Sequence, residues 1–312
     1  MSRFKIAMVP GKILVVFACV LMIIAGACNS DPNAPKQETT TSGVINISVD
    51  EAFKPVIDSQ IKVFEALHSG AKINVSYKPE AECLKDLNND SVRMVIVTRG
   101  LSADEEKILT TKLRYKPAYG PLAFDAIAVI VNIASKDTLF TMDDIAAMAR
   151  GTSSYKYKLL LDGSSATSNV RYVVDSILRG DPLTKNVVSG GSSQGVIDYI
   201  SKSTDAVGLV GVSWVGNRED TTQLSFLKKI RIAEIECRGC KDKYVQPVQG
   251  NIALSRYPMV RPLYYILKEN YEGVGSGFTN FLIYEKGQLI FSRAYLLPAR
   301  MQFDIREMQI SE

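Results

Sequence analysis

The chain has 312 residues, of which 46% are hydrophobic and 22% charged. That length suits one large or two ordinary domains, and that balance suits a folded globular body rather than a disordered or fibrous one. The formal net charge is +4, but Arg3, Lys5 and Lys12 supply three of those positives with no acid before Cys28, so the remainder carries about +1 and has no nucleic-acid footprint.

Those three basic residues precede an apolar run from Ile13 to Ala27. A membrane-spanning helix needs about 20 apolar residues, whereas a basic start, a shorter apolar run and small residues before a cut site mark a secretory signal. The run ends in Ala25-Gly26-Ala27-Cys28, which resembles a bacterial lipobox with Ala25 where leucine is usual. The resemblance implies a signal peptide over 1–27, lipidation of Cys28 and an extracytoplasmic body held to a bacterial membrane by its lipid alone; an uncut anchor is the alternative. Asn29 to Gly43 contain no aromatic and no aliphatic residue larger than alanine, so 28–43 reads as a disordered tether.

From Val44 short apolar runs alternate with amphipathic stretches. Val44–Ile47 reads as a strand, and Phe53, Val56, Ile57, Ile61, Phe64 and Leu67 then recur at helical spacing, with Pro55 in the first turn. Ile73, Val75 and Tyr77 alternate as in a strand, and Met94–Val97 reads as a buried one. Ser102 with Glu105 forms a capping box, as does Thr141 with Asp144, where Phe140 and Ile145 supply a hydrophobic staple. Ala126–Val131 and Leu159–Leu161 read as strands; a helix follows through Val170, Val173, Val174, Ile177 and Leu178, with Gly180 at its C-cap. A strand, turn and helix cover 187–202, a strand covers Val207–Val212, and 216–250 read as loop-rich. Ile252–Leu254, Pro262–Leu267 and a helix from Phe278 close the chain. The alternation predicts α/β layers with largely parallel sheets.

Chemistry-bearing patterns are few. Five cysteines occur; Cys19 would leave with the signal and Cys28 would take the lipid. Cys237-Arg238-Gly239-Cys240 is one CxxC pair, and in an oxidising compartment a local disulfide is favoured over a zinc site, leaving Cys83 as a spare thiol. No metal or other cofactor is expected. The single histidine, His68, sits at a predicted helix end, and no nucleophile–histidine arrangement, metalloprotease motif or phosphate-binding P-loop motif accompanies it, so no enzymatic activity is expected.

Three helices instead begin directly after strands through short polar turns: Ser48-Val49-Asp50-Glu51-Ala52, Ser164-Ser165-Ala166-Thr167 and Gly190-Gly191-Ser192-Ser193. Each turn reads either as a simple N-cap or as a seat for an anion, because helix starts present unsatisfied N–H groups and hydroxyls add donors. In open α/β sheets such turns gather in one crevice.

Four stretches resemble the substrate-binding lipoprotein of bacterial phosphate ABC transporters. They are Phe124–Asn132 with Thr141–Ile145, Ser165–Ser168, Asp205–Val210, and Arg256–Tyr264 with Phe281-Leu282 and Glu285–Gln288. The resemblance covers most of 44–300. It implies a type II periplasmic-binding-protein fold, with two α/β domains joined by two crossing strands near Ala126–Val131 and Asn251–Leu254. Domain I would comprise 44–127 plus 253–312, and domain II 128–252. Hydrogenphosphate would be gripped between them and handed to an ABC permease and ATPase by a monomeric receptor.

Residue by residue, Ser165, Ala166 and Thr167 match the family's phosphate loop, with alanine replacing glycine. Glu51 and Ala52 lie in the turn matching its first loop, and Thr98 and Arg99 in the second. Leu161 stands where the family has an arginine, so Arg99 or Arg171 is the candidate replacement. Ser48, Asp50, Ser164 and Ser193 are further candidates. Glu51 either accepts the ligand's proton, in place of the family aspartate replaced at Thr98, or merely favours a helix start. Other readings are a receptor for a different oxyanion, and a sensory or adhesive lipoprotein of the same fold.

Overall fold

The computed structural model describes residues 37–300, so the expected signal peptide, Cys28 and 29–36 of the tether lie outside the described residues; the rest of the expected disordered tether is instead ordered, with Glu38 2.8 Å from Arg93 and Ser42 and Gly43 opening the first strand. In chain order the strands are β1 (Ser42–Asp50), β2 (Gly70–Lys78), β3 (Val92–Val97), β4 (Ala118–Asn132), β5 (Leu139–Phe140), β6 (Lys158–Leu161), β7 (Val187–Ser189), β8 (Ala206–Gly211), β9 (Ile230–Ile232), β10 (Glu234–Glu236), β11 (Tyr244–Val245), β12 (Val260–Leu267) and β13 (Leu297–Pro298).

The long strand β4 organises the others. Its first part pairs antiparallel with β12 over Ala118–Ala126, and its second part pairs antiparallel with β8 over Ile127–Val131. The sheet order is β2-β1-β3-β12-β4-β8-β6-β7, with β9 and β13 also pairing to β4; β11, β10 and β5 form a small separate sheet. Both outer stretches are parallel, as the strand–helix alternation predicts, through β1 with β2 and β3, and β6 with β7 and β8. The centre is antiparallel. The expectation of largely parallel sheets holds for the outer stretches and is corrected at the centre, because β4 and β12 run against the βαβ stretches they join.

The helices cover this sheet with the apolar faces read from the sequence. Helix Lys54–Leu67 carries Pro55 in its first turn and buries Val56, Ile57, Ile61 and Phe64. Phe64 meets Phe278 and Phe281 edge-on at 5.2 and 5.5 Å between ring centres, which ties this helix to helix Val274–Ile283. Both predicted capping boxes form, with Ser102–Glu105 opening Ala103–Leu113 and Thr141–Asp144 opening Met142–Arg150.

Three expectations are corrected. Ile252–Leu254 is not a strand: Gln249–Ala253 is helical, with Ile252 buried and Leu254 63% exposed. The Asn251 carbonyl accepts from the Arg256 and Tyr257 amides, which closes a turn there. The chain rejoins β4 later, where the Ile127 amide donates to the Met259 carbonyl at 2.9 Å. The loop-rich 216–250 holds helix Thr221–Leu227 and the short strands β9 to β11. The final helix is two, Val274–Ile283 and Glu285–Arg293. Cys237 and Cys240 are disulfide-bonded and Cys83 is a buried free thiol, as read from the spacing. Among the described residues no helix is long and apolar enough to cross a membrane.

Helix Ser193–Ile200 presses so closely on β8 that a Cβ at Gly208 would lie 2.7 Å from Val196 Cγ1 and 2.9 Å from Ile200 Cγ1. Gly208→Val overpacks this contact and lowers stability by about 1–3 kcal/mol, read as a lower urea midpoint at unchanged slope.

Candidate functional site

The ends of β1 and β6 and the start of helix Ser193–Ile200 surround one pocket of about 440 Å³. Its walls include Asp50, Glu51, Lys78 and Pro79 from the β1–β2 side, and Asp162, Ser164 to Thr167, Gly191 and Ser192 from the β6–β7 side.

The serine-rich loop is folded by Asp162. One carboxylate oxygen accepts from the Thr167 hydroxyl at 2.6 Å and the other from the Asn169 side-chain amide at 2.8 Å. Thr167 in turn caps the following helix by accepting from the Val170 amide. The loop closes so tightly that a Cβ at Gly163 would sit 2.6 Å from Thr167 Cγ2. Ala166 takes the left-handed conformation, with φ of 62°. The N–H groups of Ser164, Ser165 and Ala166 find no acceptor among the described residues, and all three residues are exposed on the pocket wall. Amide donors without partners on a concave wall are what an anion needs.

Carboxylates oppose those donors. Asp50 is fully buried; its Oδ1 accepts from the Ala52 amide, while Oδ2 has no hydrogen-bond partner. Burial pushes its carboxyl up to about 7, against the pull of the Arg261 charge. Burial likewise raises Asp162 to about 6, against the Thr167 hydrogen bond and Arg261. Glu51 is raised by burial too, although the Ser193 hydroxyl and amide donate to its Oε2 at 2.8 and 3.3 Å. Lys78 is the cation on the wall, with its ammonium 2.7 Å from Asp86. Behind the pocket, buried Arg261 donates from Nε to Asp125 at 3.0 Å and from Nη1 to the Ser168 hydroxyl at 2.8 Å.

With this geometry in hand, comparison with known proteins is informative. A profile for the PBP superfamily domain matches residues 34–286. The chain belongs to the PBP superfamily. A search of curated proteins finds no match to the sequence. Among solved structures, a Clostridium perfringens protein assigned as the substrate-binding protein of a phosphate ABC transporter, with bound phosphate, is similar at 16% identity. The match covers 83% of this chain and 100% of that one, with a TM-score of 0.66. An ABC-type phosphate transport receptor from Vibrio cholerae is similar at 18% identity, 82% and 99% coverage and TM-score 0.57. A Corynebacterium glutamicum OxyR mutant is similar at 14% identity, 94% and 78% coverage and TM-score 0.56. Likeness at these identities shows the fold, the type II periplasmic-binding-protein fold expected from the sequence.

In this PBP chain the candidate residues divide into two groups. Asp50, Glu51, Ser164, Ser165, Ala166 and Thr167 line the pocket together. Ser193 reaches it through Glu51. The others have different partners. Ala52 spends its amide on Asp50, and its carbonyl accepts from Trp214 Nε1 at 3.0 Å. Ser48 donates to Asp86. Thr98 donates its amide to Glu80. Arg99 makes two 2.7 Å contacts with Glu105, which hold that carboxyl down at about 2. Arg171 pairs with Glu80 at 2.6 Å. Neither arginine lines the pocket. Sequence reasoning missed Asp162, Lys78 and Arg261. Asp162 carried a signal, as an acid at a strand end just before four small hydroxyl-rich positions.

Replacing Ala166 with glycine removes the left-handed penalty, and Ala166→Gly raises stability by about 1 kcal/mol in thermal melts. Asp50 has a second measurable signature. Its folded carboxyl, at about 7 against the usual 3.8, holds its proton longer than in the unfolded chain, so its effect on stability is a loss as pH rises through that window. Asp50→Asn therefore matches the wild type near the lower limit and becomes the more stable protein above the upper one, as urea melts across pH will show.

Proposed function

We propose that this protein is an extracytoplasmic receptor that captures hydrogenphosphate in the pocket between β1 and β6 and delivers it to an ABC importer. The observation that carries this reading is the meeting, in one pocket, of the partnerless amides of Ser164, Ser165 and Ala166 and the exposed Ser164 and Ser165 hydroxyls with the buried carboxyl of Asp50 and the half-buried one of Glu51. Amides and hydroxyls accept an anion without requiring net positive charge. Carboxyls beside an anion repel it unless a proton lies between the two groups. Hydrogenphosphate and hydrogenarsenate carry that proton; sulfate does not. Asp50, a pocket-lining carboxyl with one oxygen lacking a hydrogen-bond partner, is a candidate for this role, and Glu51 shares it or holds the helix at Ser193.

The two lobes proposed are 44–127 with 253–312, and 128–252. The handover of β4 from β12 to β8 at Ala126–Ile127 supports the first boundary, and the Ile127–Met259 hydrogen bond favours a return some six residues after 253. Attachment to the membrane through lipidated Cys28 would give this body its reach. A catalytic step has no part in the reading.

Calorimetric titration of the soluble body with phosphate, arsenate, sulfate and molybdate tests it. At a pH well above 7, where Asp50 is ionised, phosphate and arsenate are expected to bind at one site per chain, and sulfate to bind at least about a hundredfold more weakly, the cost of an unpaired buried acceptor. Binding of sulfate or molybdate in preference to phosphate would replace the ligand class, and no binding of any would favour a sensory or adhesive role. Glu51→Gln separates its two readings, since lost discrimination assigns it the ligand's proton and retained discrimination leaves that to Asp50.

A further inference from the structure

Arg171 was a candidate for gripping the anion, yet all three of its guanidinium nitrogens face protein partners. Nε donates to Glu80 Oε2 at 2.6 Å, and Nη2 donates to the Thr98 hydroxyl at 2.7 Å and to Glu80 Oε1 at 3.3 Å. Nη1 lies 3.7 Å from Asp175. Glu80 is equally committed, since its Oε1 also accepts the Thr98 amide at 2.9 Å. Its side chain is 2% exposed, against 38% for Arg171. Burial would raise the Glu80 carboxyl, but Arg171 and Thr98 outweigh it and hold the group below its ordinary range.

The positions of these partners matter more than their number. Glu80 and Thr98 follow β2 and β3, whereas Arg171 is in helix Ser168–Tyr172, directly after the serine-rich loop. One residue from Glu80, the Ala81 amide donates to the Ala166 carbonyl at 2.9 Å, again joining the β2 side to that loop. Pro79 and Ala166, which flank this junction, both line the pocket. Any opening that parts the two sides of the pocket breaks these contacts.

We infer that Arg171, Glu80 and Thr98 form a latch that holds the pocket shut and sets the rate of ligand release, with Arg171 a positioning residue rather than a ligand contact. This rests on reading the pocket as a cleft that closes on its ligand. A cross-pocket ion pair with one partner buried acts mainly on dissociation, because removing its partner leaves a buried charge uncompensated only once the pocket has closed. The charge that the latch neutralises is the protein's own, so its strength does not depend on which anion is inside.

The test uses Glu80→Gln and Arg171→Gln, singly and together. Trp214, the single tryptophan, reports on the site through its hydrogen bond to Ala52, beside Glu51. In stopped-flow fluorescence with inorganic phosphate, each single substitution is expected to speed release on the order of tenfold while association stays within about threefold. The double substitution is expected to release no faster than the faster single one, since the pair acts as one unit. Small-angle X-ray scattering of the phosphate-free proteins is expected to give a larger radius of gyration for both singles than for the wild type. Release at the wild-type rate, or slowed association at an unchanged release rate, overturns the latch, the latter by placing Arg171 on the ligand. Should the wild type bind no phosphate, the proposed function fails, and the scattering comparison alone judges the latch: equal radii refute it. Arg171→Gln, at a partly exposed position, keeps the comparison available if Glu80→Gln fails to fold.

Discussion

The fold turns on one buried cation. Arg261, on β12, lies opposite Asp125 on β4 and reaches Ser168 at the start of the helix that follows the serine-rich loop. It also stacks over Phe53, 5.1 Å from the ring centre, next to the Asp50–Glu51 turn. One guanidinium thus touches the middle strand, the first turn and the helix that follows the serine-rich loop. Its Nη2 lies 2.9 Å from Asp125 but lacks the alignment for a hydrogen bond, so the ion pair is close rather than saturated. Removing one partner from such a buried pair costs about 3–5 kcal/mol, which is why the cluster behaves as a unit. The backbone has fitted itself to the cluster: a Cβ at Gly211 would fall 3.2 Å from both Asp125 Oδ2 and the Ala52 carbonyl.

That constraint decides the chemistry of the pocket in front of it. Arg261 lowers the cost of keeping Asp50 and Asp162 buried, but burial still dominates both. The pocket therefore presents carboxyls poised near neutrality, together with amides and hydroxyls that carry no formal charge. Lys78 is the cation on its wall, and Asp86 already engages it. A strongly basic anion trap would take any anion of the right size. A cradle of neutral donors backed by carboxyls would be more selective once those carboxyls are ionised, because an anion would then have to bring a proton of its own. Arg99 and Arg171 fit the same picture, since both are neutralised by glutamates of the protein itself.

Much of this was readable in the sequence wherever the information was local. Both capping boxes, the Pro55 helix start, the CxxC disulfide and the buried strands rest on neighbours a few residues apart. The three polar turns also came together: Asp50–Glu51 and Ser164–Thr167 line the pocket, and Ser193 meets Glu51. What failed depends on distant partners. Glu80 is 91 residues from Arg171 in sequence, and nothing near either residue says that the two would meet. Arg99 was lost to Glu105, a capping residue already identified, whose second role went unnoticed. Ile252–Leu254 is too short a run for periodicity to separate strand from helix, and the double acceptor role of the Asn251 carbonyl decides in favour of the helix. The antiparallel centre was invisible because strand direction follows from the crossing of β4, not from any residue type.

The location of phosphate in crystals of the soluble body grown at neutral pH tests the central claim most directly. The account places the anion against the Ser164–Ala166 amides and the Ser164 or Ser165 hydroxyl, with a carboxyl oxygen of Asp50 or Glu51 at hydrogen-bond distance from a phosphate oxygen. Arg261 stays on Asp125 and Arg171 on Glu80. Phosphate bound elsewhere, or held by an Arg171 swung away from Glu80, would contradict it.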